Sequence, residues 1–437
     1  MKLSFRPRLA ALVLLAALLE AAFLALGRLL APPPDVVGVI AVALAASVVY
    51  FAAARLAWRW VEPGRAALWV VLLAAVVFRA TLFPLPPTLS NDLYRYQWEA
   101  AVQRAGYNPY RVTPADPALA GSRPAEYDRL PGKNAPAAYG PLTELLFRLA
   151  ARLDGFAAFK LLSVLFDLGT LLVLVGLLRA RREPPVRALL YGWCPLVVVE
   201  FAASGHNDSL ALLALLVANF FIIRQRAGVS IAALAAAVMA KWFPAVAAPI
   251  FFRRALPGRQ AGRWRSLLLF GGVAALCALP YRTAGWGLFT GLLTYAREWR
   301  NNSSLYALLT AATGEETIAA GVGVGVVAGL VVHCWRERIE PLRASYLLLA
   351  ALLLVSPSVF PWYVTWLVPF LCFYPNPGLL AWTATVWLGY HVLVDYSAAG
   401  EWRYAGWLVW LEYAPVYALL LGRWLWSPGT RRSREVS

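Results

Sequence analysis

The chain has 437 residues, of which 61% are hydrophobic and only 14% are charged, whereas soluble domains usually carry roughly 25% charged residues. This composition excludes a soluble globular protein and predicts an all-α, polytopic integral membrane protein. Lysine and arginine outnumber aspartate and glutamate by 40 to 23. The excess lies in short loops between apolar runs, which is typical of cytoplasmic loops and does not indicate a nucleic-acid partner.

Apolar runs long enough to approach the roughly 20 residues of a membrane span recur along the whole chain. The candidate spans are 9–30, 36–57, 66–84, 156–178, 186–203, 208–223, 229–252, 266–280, 316–334, 342–356, 361–374, 378–396 and 404–425. We predict about 12 to 14 transmembrane helices, the first of them an uncleaved N-terminal span. Because no linker divides the chain, we predict a single domain over 1–426 and a basic cytoplasmic tail over 427–437.

Arginine clusters between the runs predict the orientation, since basic loops stay in the cytoplasm. This rule places the segment 85–154 on the outer side. It also places the loops at 205–208, 281–315, 356–360 and 397–404 outside. Arginines flank 229–252 at both ends, so we predict two half-spans with Lys241 near the outer turn. A lysine in an apolar run is costly unless it faces protein, water or an anion.

The outer segment 85–154 begins with the stretch LPPTLSNDLYRYQWEAAVQRAG. Ser90 or Asn91 can cap a helix that Gly106 ends. One face of this helix would carry Asp92, Arg95, Glu99 and Gln103, and the other Tyr94, Trp98, Ala101, Val102 and Ala105. The helix is too short to span, so we predict that it lies along the outer interface with its aromatic side chains at headgroup depth. We predict a second interfacial helix at 141–152.

Asp92 has two interpretations. It can simply compensate the helix dipole and pair with Arg95 three residues later, as a solvated first-turn acid. Alternatively, a carboxylate held at the membrane boundary can accept a proton from a substrate hydroxyl. The four cysteines, Cys194, Cys277, Cys334 and Cys372, lie in or beside apolar runs. We interpret them as core residues, and no metal site is predicted.

Four stretches resemble the GT-C superfamily of membrane glycosyltransferases, in particular a bacterial mannosyltransferase-like group similar to glycosyltransferase family 87. They are NDLYRYQWEAAVQRAGYNPYRVTPADPAL, FAASGHNDSLALLALL, AAVMAKWFPAVAAPIFF and SPSVFPWYVTWLVPFL. The resemblance implies transfer of a hexose, by analogy mannose, from a polyprenyl-phosphate donor to a glycan or glycolipid acceptor, with inversion. It places the reaction on the outer face of the plasma membrane. A divalent cation is left open.

The resemblance also implies an essential acid in the first outer loop, at the position of Asp92. Four basic residues on or near the outer face are candidates to hold the leaving phosphate: Lys241, Arg282, Arg297 and Arg300. The candidate substrate-binding residues are Asn91, Tyr94, Arg95, Tyr139, His206, Asn207, Asp208, Trp362 and Tyr363. The chain departs from relatives at Phe360, where they often have histidine, and at Gly140, where they often have proline.

Two other functions remain open. A lipid-linked glycan flippase or transporter would predict repeat symmetry and charges deep in several spans. A polymer ligase would carry a large late outer loop rich in histidine and arginine, whereas the loop 281–315 contains arginines but no histidine. The sequence therefore favours the glycosyltransferase.

Overall fold

The computed structural model describes residues 5–60, 64–153, 155–255, 260–400 and 402–425. Within these ranges the chain forms helices and no β-strand, with one isolated bridge between Asn301 and Ser358. The all-α prediction is confirmed. The predicted tail 427–437 lies outside the described residues.

The first half of the chain contains most of the long helices. The α-helices are α1 (Phe5–Leu29), α2 (Val36–Arg59), α3 (Arg65–Leu82), α4 (Asp92–Arg104), α5 (Pro141–Ala150), α6 (Ala157–Ala180), α7 (Leu189–Gly192), α8 (Pro195–Val198), α9 (Asp208–Ile223), α10 (Ala227–Ala240) and α11 (Ala248–Ala255). A π-helical segment, Val199–Ala203, continues α8. Short 3₁₀ helices lie at Pro117–Ser122, Tyr127–Arg129, Pro185–Ala188 and Phe243–Ala247.

The second half is more interrupted. Its α-helices are α12 (Gln260–Ala278), α13 (Thr290–Glu298), α14 (Leu305–Thr313), α15 (Glu316–Arg336), α16 (Pro341–Leu354), α17 (Val368–Leu371), α18 (Pro377–Thr385), α19 (Val392–Ala399) and α20 (Gly406–Leu425). Its 3₁₀ helices are Leu279–Phe289, Pro361–Trp366 and Val386–His391.

Six helical stretches among the described residues are long and apolar enough to cross a membrane. They are Arg6–Leu29, Val36–Arg59, Arg65–Leu82, Ala157–Ala180, Trp264–Glu298 and Glu316–Arg336. A seventh candidate, Pro185–Gly192 with Pro195–Ala203, is bent by 62°. The other predicted spans are shorter apolar helices, such as α9, or are broken, as at 361–374 and 378–396. The chain is therefore a polytopic membrane protein with several interrupted helices.

The helices pack around one continuous apolar core. Helix α1 packs against α2 and α3, α9 packs against α6 and α10, and α18 packs against α20. One buried charge pair joins α3 to α6: Arg79 Nε lies 2.6 Å from Asp167 Oδ2. Tyr191 also donates to Asp167, and Arg79 donates to the Gly192 carbonyl. Because every one of these contacts satisfies a buried polar group, we assign this cluster a structural role.

Helices α4 and α5 form where the sequence predicts them, but the aromatic side chains of α4 are not at the surface, where lipid headgroups would contact them. Tyr94 and Trp98 are buried against Leu119 and Leu130 of the loop that follows. The opposite face is buried as well, since Glu99 has no exposed surface. That prediction is wrong because the loop between α4 and α5 folds back and covers the aromatic face.

Gly140 fixes the start of α5 against the end of α10. Its N–H donates to the Ala240 carbonyl, and Thr143 Oγ1 donates to the same oxygen at 2.9 Å. A Cβ atom on Gly140 would lie 2.0 Å from the Met239 carbonyl oxygen. The glycine at this departure from the family pattern is therefore required by the close approach of two backbones.

We expect Gly140→Ala to destabilise the protein by about 1–3 kcal/mol, because the backbone of α10 must move to admit a methyl group. Thermal unfolding in detergent measures this. Gly121→Ala is the control, since a Cβ there meets nothing within 4 Å, and its effect should stay within about 0.5 kcal/mol. Equal stability of the two variants would contradict the assigned contact.

Candidate active site

A cavity of about 1210 Å³ opens beside the start of α4. Its walls are the proline-rich loops at 32–34 and 86–87, the first turns of α4, the break at 241–243, helix α13, and the segments 356–366 and 389–404. Eight of the predicted site residues line it: Asn91, Asp92, Tyr94, Arg95, Tyr139, Lys241, Trp362 and Tyr363. The fold therefore brings together residues that are far apart in sequence.

Asp92 is the first residue of α4 and faces this cavity. Its N–H donates to Ser90 Oγ at 3.2 Å, whereas the side chain of Asn91 at the N-cap makes no capping bond. The carboxylate is 22% exposed. The predicted pairing with Arg95 is not formed, because Arg95 Nε lies 2.8 Å from Glu99 Oε1 and its other nitrogens donate to loop carbonyls. Asp92 is thus left for a different partner.

That partner is His206, which is fully buried in the loop between the π-helical segment and α9. Its Nδ1 lies 3.5 Å from Asp92 Oδ2, and its Nε2 lies 3.3 Å from Glu200 Oε2. The ring stacks on Trp362 with centroids 4.0 Å apart. Burial alone would lower the pKa of His206, but the two carboxylates outweigh it and raise the pKa to about 9. The imidazole is therefore charged at neutral pH.

Glu200 is fully buried in the π-helical segment Val199–Ala203. Its second oxygen, Oε1, accepts a hydrogen bond of 2.5 Å from the Tyr390 hydroxyl, and Tyr390 lines the cavity. Neither Glu200 nor Tyr390 was among the predicted site residues. A signal was present for Glu200, because an ionisable residue inside the apolar run LVVVEFAAS suggests a functional or paired group.

Lys241 lies at the break between two helical pieces, as predicted. Helix α10 ends at Ala240, and Lys241 has an extended backbone with φ −149° and ψ 146°. Its Nζ lies 2.7 Å from Asp208 Oδ2, while Trp366 Nε1 donates to Asp208 Oδ1 at 2.6 Å. The ammonium also lies over the rings of Tyr363 and Trp366. Asp208 lies behind the cavity wall and positions the lysine.

The other predicted phosphate-binding residues lie elsewhere. Arg282 and Arg297 are exposed and lie outside the cavity lining, and Arg300 pairs with Glu316 at 2.8 Å. Arg129, which the sequence reasoning did not select, lines the cavity and donates to the Tyr94 hydroxyl. A basic residue in one of the loops predicted to lie outside does not therefore necessarily reach the cavity.

Two further carboxyl groups lie at the cavity, one in its lining, Glu99, and one behind it, Glu144. Glu99 on α4 and Glu144 on α5 are both fully buried. Burial first, and then the neighbouring Glu99, raise the pKa of Glu144 well above its usual range, while Arg95 opposes the shift. Gln103 donates to Glu144 Oε2 at 2.8 Å. Through these contacts the two carboxyl groups and Gln103 join α4 to α5.

A metal centre is not evident in the part of the chain that the structure describes. No group of three or more histidine, cysteine, aspartate or glutamate side chains is placed there to hold an ion. The four cysteines are free thiols. The described residues bring together at the cavity a partly exposed carboxylate, a buried imidazolium and the cations Lys241 and Arg129.

Comparisons with known proteins agree with this chemistry. Residues 9–255 match the family model described as alpha-(1→6)-mannopyranosyltransferase, N-terminal domain. An alpha-(1→6)-mannopyranosyltransferase of Mycobacterium tuberculosis is 25% identical over 383 aligned residues, covering 67% of this chain and 64% of the relative. A probable alpha-(1→6)-mannopyranosyltransferase of Mycolicibacterium smegmatis is 26% identical over 385 residues, covering 72% and 66%.

The chain thus spans just under two thirds of the length of these relatives. No solved structure matches it. The matched range 9–255 contains Asp92, Glu200, His206 and Lys241, whereas the cavity wall from Tyr295 to Tyr404 lies beyond it.

Proposed function

Because the chain belongs to the alpha-(1→6)-mannopyranosyltransferase N-terminal-domain family, we propose that it is a membrane mannosyltransferase whose reaction takes place in the cavity beside Asp92. The observation that carries the proposal is the placement of a partly exposed carboxylate, backed by a buried imidazolium, on the same cavity as Lys241. These are the groups that glycosyl transfer needs: a proton acceptor and a cation for a leaving group.

We further propose that the donor is a polyprenyl-phosphate mannose and that the acceptor is a glycan or glycolipid. A lipid phosphate presents its sugar at the membrane boundary and requires no nucleotide site. The cavity supports this assignment, since charged side chains near Asp92 share it with an apolar wall that includes Val246, Leu352 and Leu353. By the same reasoning the cavity faces the exterior of the plasma membrane, and 1–426 acts as one catalytic domain.

In the proposed reaction, the acceptor oxygen attacks the anomeric carbon from the face opposite the phosphate. The new carbon–oxygen bond forms as the bond to the phosphate oxygen breaks, and the anomeric configuration inverts. The hydroxyl proton passes to the Asp92 carboxylate, and the bonding electron pair leaves with the lipid phosphate. Lys241 and Arg129 are placed to attract that phosphate. If the transition state resembles an oxocarbenium ion, a weak base in the right place suffices.

The direct test incubates purified protein in detergent with labelled polyprenyl-phosphate mannose or labelled GDP-mannose and an α-mannoside acceptor. Transfer of label from the lipid donor alone is the expected result. Label transferred from GDP-mannose, or from neither donor, would contradict the proposal.

We expect Lys241→Met to lower transfer at limiting lipid donor by about 10- to 100-fold, the worth of a hydrogen bond to a charged group. Asp208 would then be buried without its cation, so the variant is best made together with Asp208→Asn, which keeps the pair neutral. Arg297→Met is the control because it removes an exposed charge outside the cavity. Equal losses of transfer in the Lys241→Met and Arg297→Met variants would exclude a contact between Lys241 and the donor.

A further inference from the structure

The cavity has a second, uncharged end. The charged residues that line it, Asp92, Arg95, Glu99, Arg129 and Lys241, belong to α4, to the loop after it, or to the break after α10. The segments 356–363 and 389–404 contribute no charged residue to the described lining. They contribute instead aromatic rings and hydroxyl groups, so this end suits a neutral group better than a phosphate.

The rings at this end form a continuous series that begins at His206, the partner of Asp92. His206 stacks on Trp362, and Trp362 stacks on Phe360 with centroids 4.5 Å apart and planes 8° apart. Phe360 contacts Trp402 at 6.5 Å, and Trp402 contacts Tyr396 at 5.5 Å, both edge to face. We call Phe360, Tyr396 and Trp402 the aromatic arc. It leads away from Asp92 along the cavity wall.

Trp402 is exposed yet held in place. It is 45% exposed, and its Nε1 donates to the buried Asn301 Oδ1 at 2.8 Å. Asn301 is itself tied to Ser358 Oγ at 3.1 Å. Since the one donor of the indole is already satisfied, its exposed surface is apolar ring. A fixed aromatic face loses little conformational entropy when a ligand packs on it.

On these grounds we propose that the aromatic arc is a second sugar subsite, which holds the pyranose next to the accepting one. The acceptor would then be a glycan of at least two sugar units. A pyranose has one face of C–H groups that packs on a ring and a rim of hydroxyls that needs polar partners. The cavity supplies both, because Tyr404, Ser356 and Ser358 line the same end.

This proposal rests on the proposed function and is tested beside it. The acceptors are methyl α-mannoside and α-(1→6)-linked mannotriose, with labelled polyprenyl-phosphate mannose as donor. Trp402→Ala should raise the KM for mannotriose about 10-fold, the worth of one aromatic contact, and leave the KM for methyl α-mannoside and for the donor unchanged. Trp402→Phe should retain most of the affinity and shows whether the loop still folds.

Trp407 is the matched control, since it is a nearby tryptophan, 67% exposed, outside the cavity lining. Trp407→Ala should leave the KM of both acceptors unchanged. In Trp402→Ala, an equal rise in the KM of both acceptors, a rise in the KM of the donor alone, or no change in any KM would overturn the subsite. Calorimetric titration of mannotriose and of methyl α-mannoside without donor separates the two proposals. If the wild type transfers mannose but does not bind mannotriose more tightly than methyl α-mannoside, the subsite alone is overturned. If the wild type transfers no mannose, the proposed function is overturned.

Discussion

Asp92→Asn should lower turnover by about 10²- to 10⁴-fold, the usual contribution of general-base catalysis. The asparagine keeps the size of the side chain and its place at the start of α4, but it does not accept a proton as a carboxylate does. Initial rates with saturating lipid donor and acceptor measure the effect. Expression and donor binding should persist, because the side chain is partly exposed and its backbone N–H bond to Ser90 is unaffected.

Asp128→Asn is the matched control for this variant. Asp128 belongs to the same segment 85–154, and its side chain is fully exposed and lies 3.7 Å from Lys133 Nζ. We expect it to retain wild-type turnover. Near-normal turnover in Asp92→Asn, or a comparable loss in Asp128→Asn, would show that another group takes the proton.

His206→Gln should destabilise the protein by about 3–5 kcal/mol, because it leaves two carboxylates facing each other without the cation between them. Adding Glu200→Gln should recover most of that loss, since one of the two charges is then removed. Thermal unfolding of the single and double variants gives the coupling free energy. Additive losses would mean that the two side chains do not interact.

The contact of His206 with Asp92 and Glu200 predicts that the stability of the folded protein depends on pH. The pKa of His206 is raised to about 9 in the folded protein, against about 6.5 in an unfolded chain. The stability from its charge is therefore fully present below about pH 6.5 and is lost as the pH rises through about 9. Asp92 and Glu200 are the ionisable groups that face the ring, while Lys160 lies against the adjacent Gly205 and the Tyr390 hydroxyl donates to Glu200.

We expect the melting temperature of the wild type to fall more steeply between pH 7 and pH 10 than that of His206→Gln. His333→Gln is the control, since His333 lies exposed on α15, and it should keep the wild-type slope. An identical slope in all three proteins would contradict the assignment of this charge.

Helices with an uninterrupted apolar run were predictable, and those broken by tertiary structure were not. The run 208–223 coincides with α9, because Asp208 begins it and arginine ends it. The runs 361–374 and 378–396 are equally apolar, yet they fold into short pieces. In the run 361–374, Pro369 lacks the N–H that a continuous helix needs, and hydropathy does not include this effect. The run 378–396 contains no proline and is nevertheless divided into short pieces.

The site was predictable to the extent that local sequence positions it. Asp92 lies at a helix start and Lys241 at a helix break, and both features are visible in the sequence. Glu200 lies only six residues before His206, but a regular helix gives no reason to place its carboxylate on the imidazole. Arg129 and Arg297 both belong to loops predicted to lie outside, and the path of the loop after α4 brings Arg129 to the cavity.

The ion pairs around the cavity have a consequence for product release. Four cationic side chains, Arg95, Arg129, His206 and Lys241, face four carboxylates, Asp92, Glu99, Glu200 and Asp208. These four cations balance these four carboxylates, so the charges around the cavity are close to electroneutral. An anionic product therefore meets short-range donors but no net attractive field. In the proposed reaction, a site of this kind would stabilise charge while the bond breaks and would then release the lipid phosphate to the bilayer.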